Sequence, residues 1–181
     1  MNSNTLMNWT GSWIDQLLFR RAPQDDVFSR PALAASLGAY LGVDLLQALG
    51  TSPWRVAWAI TLADTLVMVL FALAVMWLAG KPQRLVQTLT ALAGTGALLG
   101  ALGVPLVWHA ARVQQTGGPS SAVVVGWLVL LVWTVAVQAH IFRHALSTRY
   151  GFGLMVAGLH SVIAIVTLET LFPRVMENAG G

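Results

Sequence analysis

The sequence predicts an all-α integral membrane protein, a bundle of five transmembrane helices preceded by a short N-terminal interfacial helix. Of its 181 residues, 56% are hydrophobic and only 9% are charged, whereas soluble domains carry roughly a quarter charged residues. The hydrophobic residues also come in long runs instead of short alternations. Both observations indicate that acyl chains, not water, surround most of the chain.

Five stretches have the length and apolar character of spanning helices, which need about 20 residues each. They cover residues 31–49, 54–79, 84–110, 121–146 and 151–172. The breaks between them are rich in Gly, Pro and Ser, which favour turns. We therefore expect a transmembrane domain over 31–173, between an N-terminal segment (1–30) and a C-terminal tail (174–181).

A short amphipathic segment, Ser12 to Arg21, precedes the first of these stretches. Four apolar residues share one of its faces: Trp13, Ile14, Leu17 and Leu18. This pattern predicts a helix lying on the inner leaflet. A loosely ordered tail is the alternative.

The distribution of basic residues predicts the orientation. If the N-terminus is cytoplasmic, seven of the ten basic residues fall on the inner side: Arg20, Arg21, Arg30, Lys81, Arg84, Arg143 and Arg149. The other three fall on the outer side: Arg55, Arg112 and Arg174. The positive-inside rule then favours a cytoplasmic N-terminus and, with five spans, a periplasmic C-terminus in a bacterial inner membrane.

Two ionisable residues, Asp64 and His160, are expected near the middle of the bilayer, on the second and fifth spans. Ionisable groups in hydrocarbon are unfavourable unless they are paired or serve a function. At the same depth the two side chains could meet, as a proton or ion relay or as part of a polar substrate site. The alternative is a hydrogen bond that only fixes helix packing.

Two further acidic residues, Asp44 and Glu169, lie nearer the predicted outer ends of their spans. Their side chains could reach interfacial water or a basic neighbour. We therefore interpret them as packing or snorkelling residues and not as catalytic groups.

A basic cluster, His140, Arg143 and His144, lies at the predicted cytoplasmic end of the fourth span. The i, i+4 spacing puts both histidines on one helix face, a geometry that can bind a metal, with His160 as a further ligand. No glutamate follows His140 as in metalloprotease helices. Contact with lipid headgroups, with Arg143 on phosphate, is the interpretation we prefer.

Two glycine pairs have the spacing that brings membrane helices together. Gly38 and Gly42 form G-x-x-x-G on the first span, and Gly96 and Gly100 form it on the third. Small residues at this spacing let backbones approach closely. They predict a tight bundle or a homodimer face.

The sequence contains no set of residues that indicates an enzyme. There is no cysteine, and no phosphate-binding loop, dinucleotide fingerprint or nucleophile elbow. We therefore predict no catalytic residue and no cofactor. The basic residues are spread along the chain, so nucleic acid is not an expected partner.

Two segments carry a resemblance to known proteins. One is Leu17-Leu18-Phe19-Arg20-Arg21 with Pro23, Asp25 and Asp26; the other is His140 to Leu146, with Leu171-Phe172-Pro173 at the end of the last span. Together they resemble small uncharacterised inner-membrane proteins of proteobacteria. The predicted architecture also resembles the Yip1-domain superfamily, whose eukaryotic members shape or traffic membranes. The Asp-Leu-Tyr-Gly-Pro motif of that superfamily is absent, and neither resemblance implies functional residues.

These observations predict a non-enzymatic membrane scaffold or accessory subunit that binds lipid or a partner membrane protein, including a second copy of itself. A small transporter or a proton- or ion-conducting subunit that uses Asp64 and His160 is the alternative. A metal-dependent membrane enzyme based on the three histidines is a third option.

Overall fold

The computed structural model describes residues 3–25, 29–113 and 121–173. Its elements are α1 (Ser3–Leu17), α2 (Arg30–Ala48), α3 (Trp54–Leu78), α4 (Leu85–Val113), α5 (Ser121–Leu146) and α6 (Tyr150–Leu171), with short 3-10 turns at Pro23–Asp25 and Pro82–Arg84. The described part of the chain is all-helical, as predicted. Residues 114–120, in the break predicted between the third and fourth stretches, and the tail from 174, which includes Arg174, lie outside the described residues.

Four of these helices, α3, α4 with its preceding turn, α5 and α6, are long and apolar enough to cross a membrane. Their large apolar side chains are widely exposed, Leu66, Val132 and Met155 among them. Such a surface suits acyl chains and not water. The chain thus has the helices of a multi-pass membrane protein.

Among the described residues, one helix fewer than the five predicted qualifies as a span by length and composition. The first predicted stretch does form helix α2, with the Ser29 hydroxyl accepting a hydrogen bond from the amide of Ala32 at its N-terminus. However, α2 is not among the helices that qualify as spans by length and composition. Its 19 residues are long enough for a span, but polar residues, among them Asp44 and Gln47, lower its hydropathy.

Helix α4 is at the centre of the bundle, in contact with α1, α2, α3 and α5. It runs parallel to α2, because Tyr40 lies beside Gly96 while Gly50 lies beside Trp108, further along both helices. Helices α5 and α6 form an antiparallel pair. At the turn between them, Gly153 is so close to the α5 backbone that a Cβ would collide with the carbonyl oxygen of Ala139.

The prediction that the N-terminal helix lies on the membrane surface was wrong. Helix α1 packs against α4 and α5, with Trp13 only 7% exposed and Gln16 fully buried. The indole Nε1 of Trp133 donates to the carbonyl of Leu17 at 3.3 Å. An apolar helix face indicates burial, but the same sequence pattern is expected whether lipid or protein covers that face.

The buried face of α1 is also displaced from the predicted one. Ser12, Trp13, Gln16 and Leu17 are buried, whereas Ile14 and Leu18, predicted to lie on the apolar face, are exposed. A small residue on α4, Gly94, makes room for the Trp13 ring on this inward face.

Candidate functional site

A cavity of about 420 Å³ lies between α2, α4 and α5. Its floor is the glycine face of α4: Gly96, Gly100 and Gly103. Five polar side chains line it among apolar ones: Tyr40, Asp44, Gln47, Thr134 and Gln138. Sites for small molecules have this size and this mixture of apolar walls with a few polar groups.

Three of the polar residues come from one face of α2. Tyr40, Asp44 and Gln47 follow one another at i, i+4 and i+7, so one side of the helix carries them all. The amide nitrogen of Gln47 donates to the carbonyl of Gly100 at 3.1 Å and fixes this face against α4. This i, i+4, i+7 spacing of polar residues is visible in the sequence and indicates one polar face of α2.

The hydroxyl of Tyr40 donates a hydrogen bond to Oδ2 of Asp64 at 2.5 Å. Because Asp64 lies on α3, this bond joins α2 to α3 directly behind the cavity wall. Asp64 itself does not line the cavity. Tyr40 therefore separates Asp64, the carboxyl predicted to lie within the membrane, from the cavity.

Asp44 is the carboxyl that lines the cavity. Its Oδ2 is buried and makes no hydrogen bond of good geometry among the described residues, although the Thr61 hydroxyl and the Asp64 carboxyl of α3 are both near enough to interact with the Asp44 carboxyl. A buried polar group without a partner is unfavourable by about 1–3 kcal/mol. The structure therefore places Asp44 at the site, where the sequence indicated a packing or snorkelling residue.

His160 approaches the same region from α6. Its Nδ1 lies 3.0 Å from Oε1 of Gln138, a cavity residue, and its ring packs against Phe71 with centroids 5.0 Å apart. The His160 ring interacts electrostatically with Asp64. Asp64 thus bonds to Tyr40, whereas His160 bonds to Gln138. In the described part of the chain, no direct hydrogen bond joins Asp64 to His160.

No lysine or arginine is among the described residues that line the cavity. The side chain of His160, which can become cationic, lies behind Gln138 and does not line the cavity. An ionised carboxylate in a low-dielectric setting needs a compensating positive charge. At Asp44 that charge has to come from a proton or from a bound cation.

The basic cluster at the other end of α5 is engaged with the N-terminal segment. Nε2 of His140 lies 3.2 Å from the carbonyl of Arg21, and its ring packs edge-on against Phe19. Nη2 of Arg143 lies 3.0 Å from Nε2 of His144. Contact of this cluster with lipid headgroups stays a prediction.

A metal centre built from the three histidines does not form. The rings of His140 and His144 are 4.6 Å apart, but His160 bonds to Gln138 and packs on Phe71 instead of joining them. Among the described residues, no group of three His, Asp or Glu side chains could hold a metal ion. The three histidines proposed as metal ligands are therefore not grouped at one site.

The two predicted glycine pairs have different surroundings. A Cβ at Gly96 would lie 2.8 Å from the Tyr40 ring, and one at Gly100 would lie 2.9 Å from Val43 and Gln47. For Gly38 and Gly42, no described atom would lie within 4 Å of the added Cβ. The α4 pair brings α2 close, whereas the α2 pair faces away from the described bundle.

Comparison of the chain with protein-family models, with curated proteins and with solved structures finds no match. The resemblance to small proteobacterial inner-membrane proteins and to the Yip1-domain superfamily stays a prediction. The function is therefore inferred from the geometry of the cavity itself.

Proposed function

We propose that this protein is a small transporter that binds an organic cation inside the membrane, in the cavity between α2, α4 and α5. The observation that carries the proposal is the cavity of about 420 Å³ whose wall contains the carboxyl of Asp44 and no described basic residue. A pure proton path needs a chain of polar groups but no such volume. The space is within the range for small organic ligands.

Asp64 and His160 have a supporting role in this proposal. They lie behind the wall residues Tyr40 and Gln138, to which they are hydrogen-bonded. A ligand that displaces Tyr40 or Gln138 therefore alters the environment of Asp64 or His160. This connection is the basis for proton-coupled transport, with Asp44 binding the cation and Asp64 carrying the proton.

The direct test is binding of benzyltrimethylammonium to the protein in lipid nanodiscs, with empty nanodiscs as blank. Neopentylbenzene has the same shape without the charge and serves as the neutral probe. We expect wild type to prefer the cation, and Asp44→Asn to weaken its binding about tenfold or more, as for loss of a charged partner. Glu169→Gln, a change at an exposed carboxyl of α6, should leave binding unchanged.

Equal binding of both probes, or no binding by a folded wild type, would contradict the proposal. Transport itself is tested in proteoliposomes. Wild type should accumulate the cation with a rate that depends on pH, and Asp64→Asn should remove that dependence while the thermal unfolding of the protein shows that it is folded. Absence of flux in wild type would discard transport.

For the membrane topology we propose that α2 crosses as a fifth span. Its 19 residues cover about 28 Å at 1.5 Å per residue, close to the thickness of the hydrocarbon core. Its parallel course along α4 supports this, and its polar face is covered by α3, α4 and the cavity. The N-terminus is then cytoplasmic and the C-terminus periplasmic in a bacterial inner membrane.

Reporter fusions test the topology. A periplasm-dependent reporter should be active both after Thr51 and after Gly181. If α2 does not cross, four spans put both ends of the spanning region on one side. A reporter after Gly181 that is active only in the cytoplasm would contradict five spans with this orientation.

A scaffold or accessory role is the second candidate, favoured by the uncovered glycine pair on α2. Gly38 and Gly42 are exposed, and small residues at this spacing suit close packing of another membrane helix. A second copy of the chain or another membrane protein would cover them. Crosslinking in native membranes should recover such a complex from wild type and less of it from Gly42→Leu; recovery of neither partner nor self-assembly would remove this candidate.

A further inference from the structure

The two walls of the cavity differ in character. The α2 wall carries Tyr40, Asp44 and Gln47, and the opposite α5 wall carries mainly apolar residues, among them Val124 and Leu128. Both helices pack on α4, but they do not pack closely on each other. A gap between α2 and α5 therefore lies over the glycine floor.

The α5 wall residues are also part of the outer surface. Val124 is 46% exposed, Leu128 is 56% exposed and Leu131 is 50% exposed, although all three line the cavity. On a helix that can span a membrane, exposed apolar side chains face acyl chains. The cavity is thus continuous with the lipid-facing surface at the gap.

We propose that the ligand reaches the cavity sideways from the bilayer, through the gap between α2 and α5, and that it is a cationic amphiphile. This inference rests on the proposed function and adds the path and the ligand class. The cationic group lies at Asp44 on the α2 wall, and the apolar part lies against Val124, Leu128 and Leu131 on the α5 wall. The charge distribution favours this orientation, because the carboxyl is on one wall and the exposed apolar residues are on the other.

Partition into the bilayer raises the concentration of an amphiphile at such a gap, at about 0.8 kcal/mol for each buried methylene. A strongly hydrated cation without an apolar part has no such advantage. Dodecyltrimethylammonium and tetramethylammonium carry the same headgroup and differ in this respect. The first should bind to the nanodisc-embedded protein more tightly than the second, beyond its partition into empty nanodiscs.

The path is tested by closing the gap. The chain has no cysteine, so Val43→Cys and Leu131→Cys can be combined and bridged with a bifunctional methanethiosulfonate reagent. The bridge should slow association of benzyltrimethylammonium by about tenfold or more, because binding then requires the two walls to separate. The same double variant after reduction of the bridge is the reference, and its association should be faster by that factor.

A second variant avoids dependence on the bridged protein. Leu128→Trp fills the gap from the α5 side and should slow association in the same way. Leu62→Trp, at a similarly exposed leucine of α3 outside the cavity, is the matched control and should have no effect.

The outcomes separate the two proposals. Unchanged association in both the bridged protein and Leu128→Trp, with binding still dependent on Asp44, overturns the path through the gap and leaves the transporter proposal standing. Absence of cation binding in unmodified wild type overturns both. Crosslinking of Leu131→Cys to the same residue of another copy would identify a second chain as the occupant of the gap and would also overturn this inference.

Discussion

The indole ring of Trp13 fills the space beside Gly94, so that a Cβ at this glycine would lie 2.5 Å from the ring. This contact joins the N-terminal helix α1 to the central helix α4. Further along the N-terminal segment, Trp133 and His140 of α5 form hydrogen bonds with the carbonyls of Leu17 and Arg21, respectively. The N-terminal segment is therefore part of the bundle.

Gly94→Leu should expel α1 from its place against α4, because the larger side chain occupies the position of the Trp13 ring. In the cysteine-free background, Ser12→Cys is a suitable reporter, since Ser12 is buried. We expect faster maleimide labelling of this cysteine when Gly94 is replaced. Gly158→Leu, at a glycine of α6 where no described atom lies within 4 Å of the added Cβ, should leave the labelling rate unchanged; equal rates in both variants would argue against the Trp13 contact.

Tyr40→Phe should lower the stability of the bundle by removing the donor to Asp64. The carboxyl stays in its place and loses its partner, which is unfavourable by about 1–3 kcal/mol. Thermal unfolding in detergent measures the loss. Tyr150→Phe removes an exposed hydroxyl that donates to the carbonyl of Ala136 at 3.3 Å, and its effect should be smaller.

Replacement of a glycine should destabilise the bundle in the α4 pair but not in the α2 pair. Gly96→Val forces the new side chain against Tyr40 and should destabilise the packing of α2 on α4 by about 1–3 kcal/mol, as overpacking does. Gly42→Val meets open space and should leave unfolding of the monomer unchanged. Urea or thermal unfolding of the two variants in the same detergent checks the difference, and an equal loss in both would mean that α2 does not pack as described.

Arg84→Gln should weaken the junction between α4 and α5. The guanidinium donates to the carbonyl of Ala145 at 2.9 Å and to the hydroxyl of Ser147 at 2.8 Å, beyond the last turn of α5. A cation at a helix C-terminus contributes about 0.3–1 kcal/mol, and more when it is partly buried. Arg55→Gln, at an exposed arginine on α3, is the control, and a similar shift of the unfolding midpoint in both variants would contradict a capping role for Arg84.

The all-helical fold and the membrane-type helices followed from the sequence, because about 20 consecutive apolar residues can satisfy their backbone in lipid only as a helix. By length and composition, four described helices and not five qualify as spans. Helix α2 has polar residues at i, i+4 and i+7, which lower its hydropathy, and composition does not say whether such a face is covered by protein.

The sequence determined which groups need partners in the membrane, since Asp44, Asp64 and His160 are unfavourable there by themselves. Only the tertiary structure decided their surroundings: Tyr40 beside Asp64, Gln138 beside His160, and both Thr61 and the cavity beside Asp44. Likewise, the sequence determined that the N-terminal segment has an apolar face, and only the packing of α1 beside Gly94 of α4 and Trp133 of α5 decided that protein covers it. The reason is that sequence periodicity shows which residues share a helix face, whereas the structure that contacts this face depends on how separate helices pack.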